Sequence, residues 1–160
     1  MKNRIRKGIG MDCSNMPRIL VTPMFGGCEP KSHEYIYEFG GRTLYADWDI
    51  LGFLDEVQIS RNSDPLEDYA RFVMKTNSKY MGCDNETMTD SYLNVAKEIN
   101  ADGLVFNQLF GCHSISNCYR MLRDKLRRED IPSTALTFNK IGENVEQVKT
   151  RLGAFMEMFK

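Results

Sequence analysis

Residues 103–128 read GLVFNQLFGCHSISNCYRMLRDKLRR, and this stretch decides the fold. Gly103 punctuates the chain, and Leu104-Val105-Phe106 then opens an apolar, β-prone run. Gly111-Cys112-His113 reads as a turn. From Ser114 to Arg128 the apolar residues Ile115, Tyr119, Leu122 and Leu126 recur at helical spacing. Arg123, Lys125, Arg127 and Arg128 crowd the last turns, where cations meet the negative end of a helix. Pro132 and a second β-prone run, Thr134–Phe138, follow. Strand, helix and strand in that order form a βαβ unit, with parallel strands and a helix crossing between them.

The same alternation runs outward in both directions. Towards the N-terminus, Asp90–Asn100 carries the stripe Tyr92, Val95, Ala96 and Ile99, and Asn77–Thr89 reads as a long polar connection. Asp64-Pro65-Leu66-Glu67 is a helix start, with a capping carboxylate, proline at the first helical position and an acid in the first turn. Its stripe is Leu66, Tyr69, Ala70 and Val73, and a further helix is expected over Trp48–Ile59. Arg18–Thr22 and Thr43–Ala46 are strands. They flank a helix from His33 to Phe39 that Ser32 caps, that buries Tyr35, Ile36 and Phe39, and that stops at Gly40-Gly41. Towards the C-terminus, Asn144 with Gln147 resembles a capping box, and the helix behind it buries Val148, Leu152, Phe155, Met156 and Phe159.

This pattern predicts an α/β fold, a Rossmann-like or flavodoxin-like three-layer domain. Its sheet has four parallel strands in the order 2-1-3-4, with helices on both faces. Ile19, Val21, Leu44, Val105 and Leu136 are expected in the core. Residues 1–17 read as a leader, with Gly8, Gly10 and Pro17 discouraging regular structure, and 18–160 as a single domain. Ligands of such sheets sit beyond the C-terminal ends of the strands. There the loops Pro23–Lys31, Asp47–Asp49, Asn107–Ser114 and Asn139–Glu143 are expected to meet.

Composition removes several function classes. A formal net charge of −1 gives no electrostatic surface for nucleic acid, and the short basic start Lys2–Lys7 reads as a solvated terminus. No apolar run reaches the length of a membrane span, and no apolar stretch of a secretory signal follows the basic start, so the cytoplasm is expected. The five cysteines, Cys13, Cys28, Cys83, Cys112 and Cys118, form no CxxC pair, which leaves a zinc ribbon or thioredoxin-like site unsupported. In a reducing compartment they stay thiols. Neither a GxGxxG fingerprint nor a P-loop lysine is present, and Pro23-Met24-Phe25-Gly26-Gly27 lacks the hydroxyls a flavin phosphate would want.

Cys112 is the leading candidate. It follows a parallel strand and precedes a helix, whose N-terminus favours a thiolate. Such a thiolate ligates metals or attacks electrophiles; the other reading is a neutral thiol packed under the loop, and both stay open here. Cys28 is a weaker candidate in the loop after the first strand, on the same rim. His113 reads as an exposed loop residue and Cys118 as packing. Asp47 and Asp49 are rim carboxylates suited to a metal or a ribose, though solvated acids at a helix start are commoner.

The tract Ala101-Asp102-Gly103-Leu104-Val105-Phe106 with Cys112 six residues on resembles the C-terminal cysteine region of 2-hydroxyacyl-CoA dehydratase subunits and of the related benzoyl-CoA reductase subunits. Arg18–Thr22 before the helix that ends at Gly40-Gly41, Asp64-Pro65-Leu66-Glu67, and the tail Glu146–Leu152 with Phe155 extend the similarity over residues 15–160. The resemblance implies a subunit that pairs with a sister subunit. It further implies a [4Fe–4S] cluster held by three cysteines, two from an N-terminal domain and one, matching Cys112, from this one. An ATP-dependent activator would supply one electron, and water would leave a 2-hydroxyacyl-CoA. Segments matching the N-terminal domain are absent from these 160 residues, and Asp47-Trp48-Asp49 stands where the family often has a cysteine. The expectation is therefore a component of a [4Fe–4S]-dependent dehydratase or related reductase. It would contribute one cluster thiolate and acyl-CoA-facing loops, and need a cysteine-bearing N-terminal domain or partner subunit. The isolated chain is expected to hold no cluster and to be inactive. The competing expectation is a cluster-free α/β interaction or regulatory module derived from that family.

Overall fold

A computed structural model of the chain describes residues 6–8, 13–22, 31–44, 64–80, 84–140 and 142–160, with backbone alone at 76–80 and 113–116. Four strands, β1 (Arg18–Thr22), β2 (Arg42–Leu44), β3 (Gly103–Leu109) and β4 (Ser133–Phe138), form one sheet in the order β2-β1-β3-β4. Every neighbouring pair is parallel, so order and direction match the expectation from sequence. Helices α1 (Ser32–Glu38), α2 (Pro65–Tyr80), α3 (Asn85–Glu98), α4 (His113–Arg128) and α5 (Val145–Met156) complete the described elements, with a 3-10 turn at Glu157–Phe159.

Successive strand residues alternate faces, and the two faces carry separate cores. Leu20, Leu104 and Phe106 join Met88, Tyr92, Leu122 and Leu126 from α3 and α4. Ile19, Val21, Val105, Leu136 and Phe138 join Ile36 from α1 and Val148, Leu152 and Phe155 from α5. Four of the five expected core residues are fully or almost fully buried. Leu44 is only half-buried, because β2 is a three-residue edge strand with a neighbour on one side only.

Several local expectations are corrected. Ser32 lies inside α1 and is buried, with Lys31 at the cap position and no side-chain cap. Asn144 precedes α5 in the left-handed conformation, φ 62°, and makes no side-chain cap, so no capping box forms. β3 continues past Phe106 to Leu109, because Asn107, Gln108 and Leu109 pair with Leu136, Thr137 and Phe138. The long connection over 77–89 is mostly helix: α2 runs to Tyr80 and α3 starts at Asn85. The Asp84 side chain accepts the Glu86 amide at 3.0 Å and the Thr87 hydroxyl, which caps a turn of wholly polar residues. The apolar stripe of α2 does not enter a core. Leu66 is 72% and Tyr69 56% exposed, since α2 packs chiefly on α3. Asp64 does cap it, through the Leu66 amide at 2.9 Å. The helix expected over Trp48–Ile59 and the end of the second strand lie outside the described residues.

The N-terminal edge of the sheet is held by a two-pronged ion pair. Arg18 donates from Nε and Nη2 to the Asp102 carboxylate at 3.1 and 3.2 Å, and the Arg18 amide adds a third bond at 2.6 Å. These bonds tie β1 to the start of β3. The Arg18 side-chain hydrogen bond, above all, holds the Asp102 carboxyl below the usual carboxylate range. A depressed folded-state value means that the contribution to stability is complete above the unfolded value near ~4. It is lost as pH falls through the lower folded value. The Asp102→Asn variant is accordingly expected to show a shallower loss of stability between neutral and strongly acidic pH than the parent, in urea unfolding series. An equally steep acid limb in both proteins contradicts this role.

Candidate functional site

The C-terminal ends of the strands form a rim. Gly111, at φ 79°, turns the chain after β3, and the Cys112 amide closes the turn on the Leu109 carbonyl at 3.1 Å. The Phe110 amide bonds the Phe138 carbonyl at 2.7 Å, which anchors the same turn to β4. Cys112 then occupies the N-cap of α4, in extended conformation and half-buried, with no side-chain cap bond. The thiol therefore stands at the positive end of a 16-residue helix, where backbone N–H groups favour negative charge. Leu109 and Phe110 beside it expose apolar surface, Phe110 to 73%.

Cys118 is fully buried one turn and a half further on, and its thiol donates to Asn85 Oδ1 at 3.0 Å. Burial pushes its pKa up to about 11. It is a packing residue, as its place beside the buried stripe suggests. His113 begins α4; its side chain lies outside the described ones. Cys28, Cys83, Asp47 and Asp49 lie outside the described residues, as do the rim loops 23–30 and 45–50.

Three features of the rim escape a reading of the sequence. A cleft of about 400 Å³ opens beside α5, walled by Phe110, Thr137, Asn139, Asn144, Gln147 and Arg151. Its floor is braced by Gln108, which donates to the Thr137 hydroxyl at 2.7 Å, and by Arg151, which donates to the Ala135 carbonyl at 3.3 Å. Thr22, the last residue of β1, and Asn107, within the C-terminal half of β3, are buried polar residues on the central pair where the crossovers diverge. His33, in the first turn of α1 on the same rim, is half-buried, and desolvation holds its pKa below the ordinary imidazole value. None of these belongs to a sequence motif; only the crossover topology brings them to one side of the sheet.

The chain matches, over residues 1–159, the family described as 2-hydroxyglutaryl-CoA dehydratase, D-component. The chain belongs to that family. The resemblance read from the tract around Cys112 is thereby borne out at the family level. Membership makes this D-component relative a dehydratase component, of an assembly with partner components and an acyl-CoA substrate. None of the curated proteins compared with it matches. Among the described residues no helix is long and apolar enough to cross a membrane.

A [4Fe–4S] cubane takes about four ligands, mostly thiolates. Among the described residues no three of histidine, cysteine, aspartate or glutamate converge as a metal site. The described donors therefore do not fit a cluster by themselves; Cys112 is the one rim thiol among them.

Proposed function

We propose that this domain is the Cys112-bearing part of a [4Fe–4S]-dependent 2-hydroxyacyl-CoA dehydratase, and that its C-terminal rim faces the acyl-CoA. The observation that carries the reading is the position of Cys112, half-buried at the N-cap of α4 directly after the central strand β3. A thiol there has its backbone fixed by the turn and stands at a surface that a second domain can cover. The remaining thiolates come from a cysteine-bearing domain or partner subunit, and an ATP-dependent activator supplies the electron. The cluster, when bound, would supply one-electron chemistry. This chain's own residues hold one ligand in place, exclude water through Leu109 and Phe110, and offer the amide-lined cleft as a wall for the acyl-CoA.

The competing reading, a cluster-free interaction or regulatory module of the same family, draws on the ligand shortage among the described residues. One substitution separates the two. In the complex with its cysteine-bearing partner, Cys112→Ser is expected to lower iron content and abolish dehydration while thermal unfolding stays close to the parent. If Cys112 only packs, the serine should cost roughly 1–3 kcal/mol through a poorly satisfied hydroxyl and leave the iron untouched. A destabilised variant with full iron content removes the ligand assignment.

A further inference from the structure

A second cleft, of about 530 Å³, lies at the opposite end of the sheet, where Arg18 and Arg42 meet Asp102, Asn15, Met16 and Phe159. Arg18 and Arg42 open β1 and β2 and are partners in register, so their side chains leave the sheet on the same face, side by side. The Arg42 amide bonds the Pro17 carbonyl at 2.9 Å, which fixes the backbone under the second guanidinium. Two guanidinium groups thus line the cleft beside one carboxylate. Arg18 takes it with both prongs of its fork. Arg42 feels the same carboxylate through space, yet its Nε is buried, and among the described residues that nitrogen has no hydrogen-bond acceptor. The Arg42 side chain also lines the cleft, and among the described residues no ion pair takes it up, so its guanidinium is a group for which a ligand oxyanion is the natural partner. The pair carries one positive charge more than Asp102 neutralises, and the planar fork of arginine matches a tetrahedral oxyanion.

The geometry points to a binding site for a small organic phosphate, anchored on Arg42, at the N-terminal edge of the sheet. Met16, Pro17 and Phe159 give the cleft an apolar wall for the organic part, and Phe159 is steadied edge-on against Phe155 at 5.2 Å between centroids. Asn15 offers a further amide donor at the rim. The site is independent of Cys112 and of any cluster, because it lies at the other end of the strands.

Isothermal titration of the full chain with phenyl phosphate, inorganic phosphate and benzoate, at one ionic strength and in a buffer free of phosphate, tests this. Phenyl phosphate is expected to bind saturably. It should bind more tightly than inorganic phosphate, which lacks a group for the Phe159 wall, and than benzoate, which carries a single charge. Arg42→Gln should weaken phenyl phosphate by on the order of tenfold or more, with an unchanged far-UV circular dichroism spectrum. Arg120→Gln, at an exposed position on α4, should leave binding as it is. Should Arg42→Gln not fold, Arg42→Lys, which keeps the charge and loses the fork, decides in its place by a several-fold weakening. No saturable binding, tighter binding of benzoate, full affinity in the decisive Arg42 variant, or an equal loss in Arg120→Gln overturns the site.

Discussion

Replacing Phe106 by alanine is expected to destabilise the domain by about 3–5 kcal/mol, the range for deleting a buried aromatic ring. Phe106 is fully buried in the central strand β3. Its ring stands edge-on to Tyr92 of α3, 5.9 Å between centroids, and lies against Tyr119 of α4 at 5.4 Å and 28°. It therefore fills the seam where both helices meet the sheet. Collapse around the void is opposed from below, since β3 is paired on both sides, Phe106 itself facing Thr22 of β1 and Ala135 of β4. The cavity term then adds to the lost transfer energy instead of being relieved by relaxation. Urea unfolding at 25 °C measures it, and Phe106→Leu should lose visibly less. A loss below about 1 kcal/mol for the alanine variant would mean that the seam closes, contrary to the usual partial relaxation of cores.

The opposite kind of error, overfilling, is expected at Gly103. A Cβ there would stand 2.6 Å from Phe159 Cζ and 2.9 Å from Phe155 Cζ, with Ile19 Cδ1 at 3.4 Å. The two rings are locked edge-on to each other, so neither tip retreats without moving its partner. Gly103→Ala should cost about 1–3 kcal/mol, the usual range for overpacking. Phe159 belongs to the final 3-10 turn and is only partly buried, which makes it the softer of the two. Phe159→Leu in the Gly103→Ala background should recover part of the loss, and a double-mutant cycle reads that coupling. A neutral Gly103→Ala, or strict additivity in the cycle, contradicts the packing described.

The sheet was legible because β1, β3 and β4 carry apolar residues in short β-prone runs, and the helices α1, α4 and α5 that follow them have apolar stripes. The strand order is that of a flavodoxin-like doubly wound sheet, which the alternation of strand and helix suggests. The α2 stripe misled because spacing reports that Leu66, Tyr69 and Ala70 share a face, not what the face meets. Residues 84–89 misled for the reverse reason: Asp84, Asn85, Glu86 and Thr87 are polar, so no stripe marks the turn that Asp84 caps. At the site, Cys112 was legible from its position between strand and helix. The two arginines were not. Arg18 and Arg42 are 24 positions apart in the chain and meet only through the register of β1 on β2. Likewise His33 draws its character from desolvation, which no local pattern encodes.

The two cores share a sheet but no side chains. A substitution at Leu122 of α4 and another at Leu152 of α5 act on opposite sides of a hydrogen-bonded wall. Their costs should add to within a few tenths of a kcal/mol, as for sites without common partners. In evolutionary terms each face is free to drift on its own clock. Hydrophobic exchanges within α3 and α4 need no matching change in α1 and α5, and the backbone of β1 and β3, which both faces rest on, is the part that has to stay still.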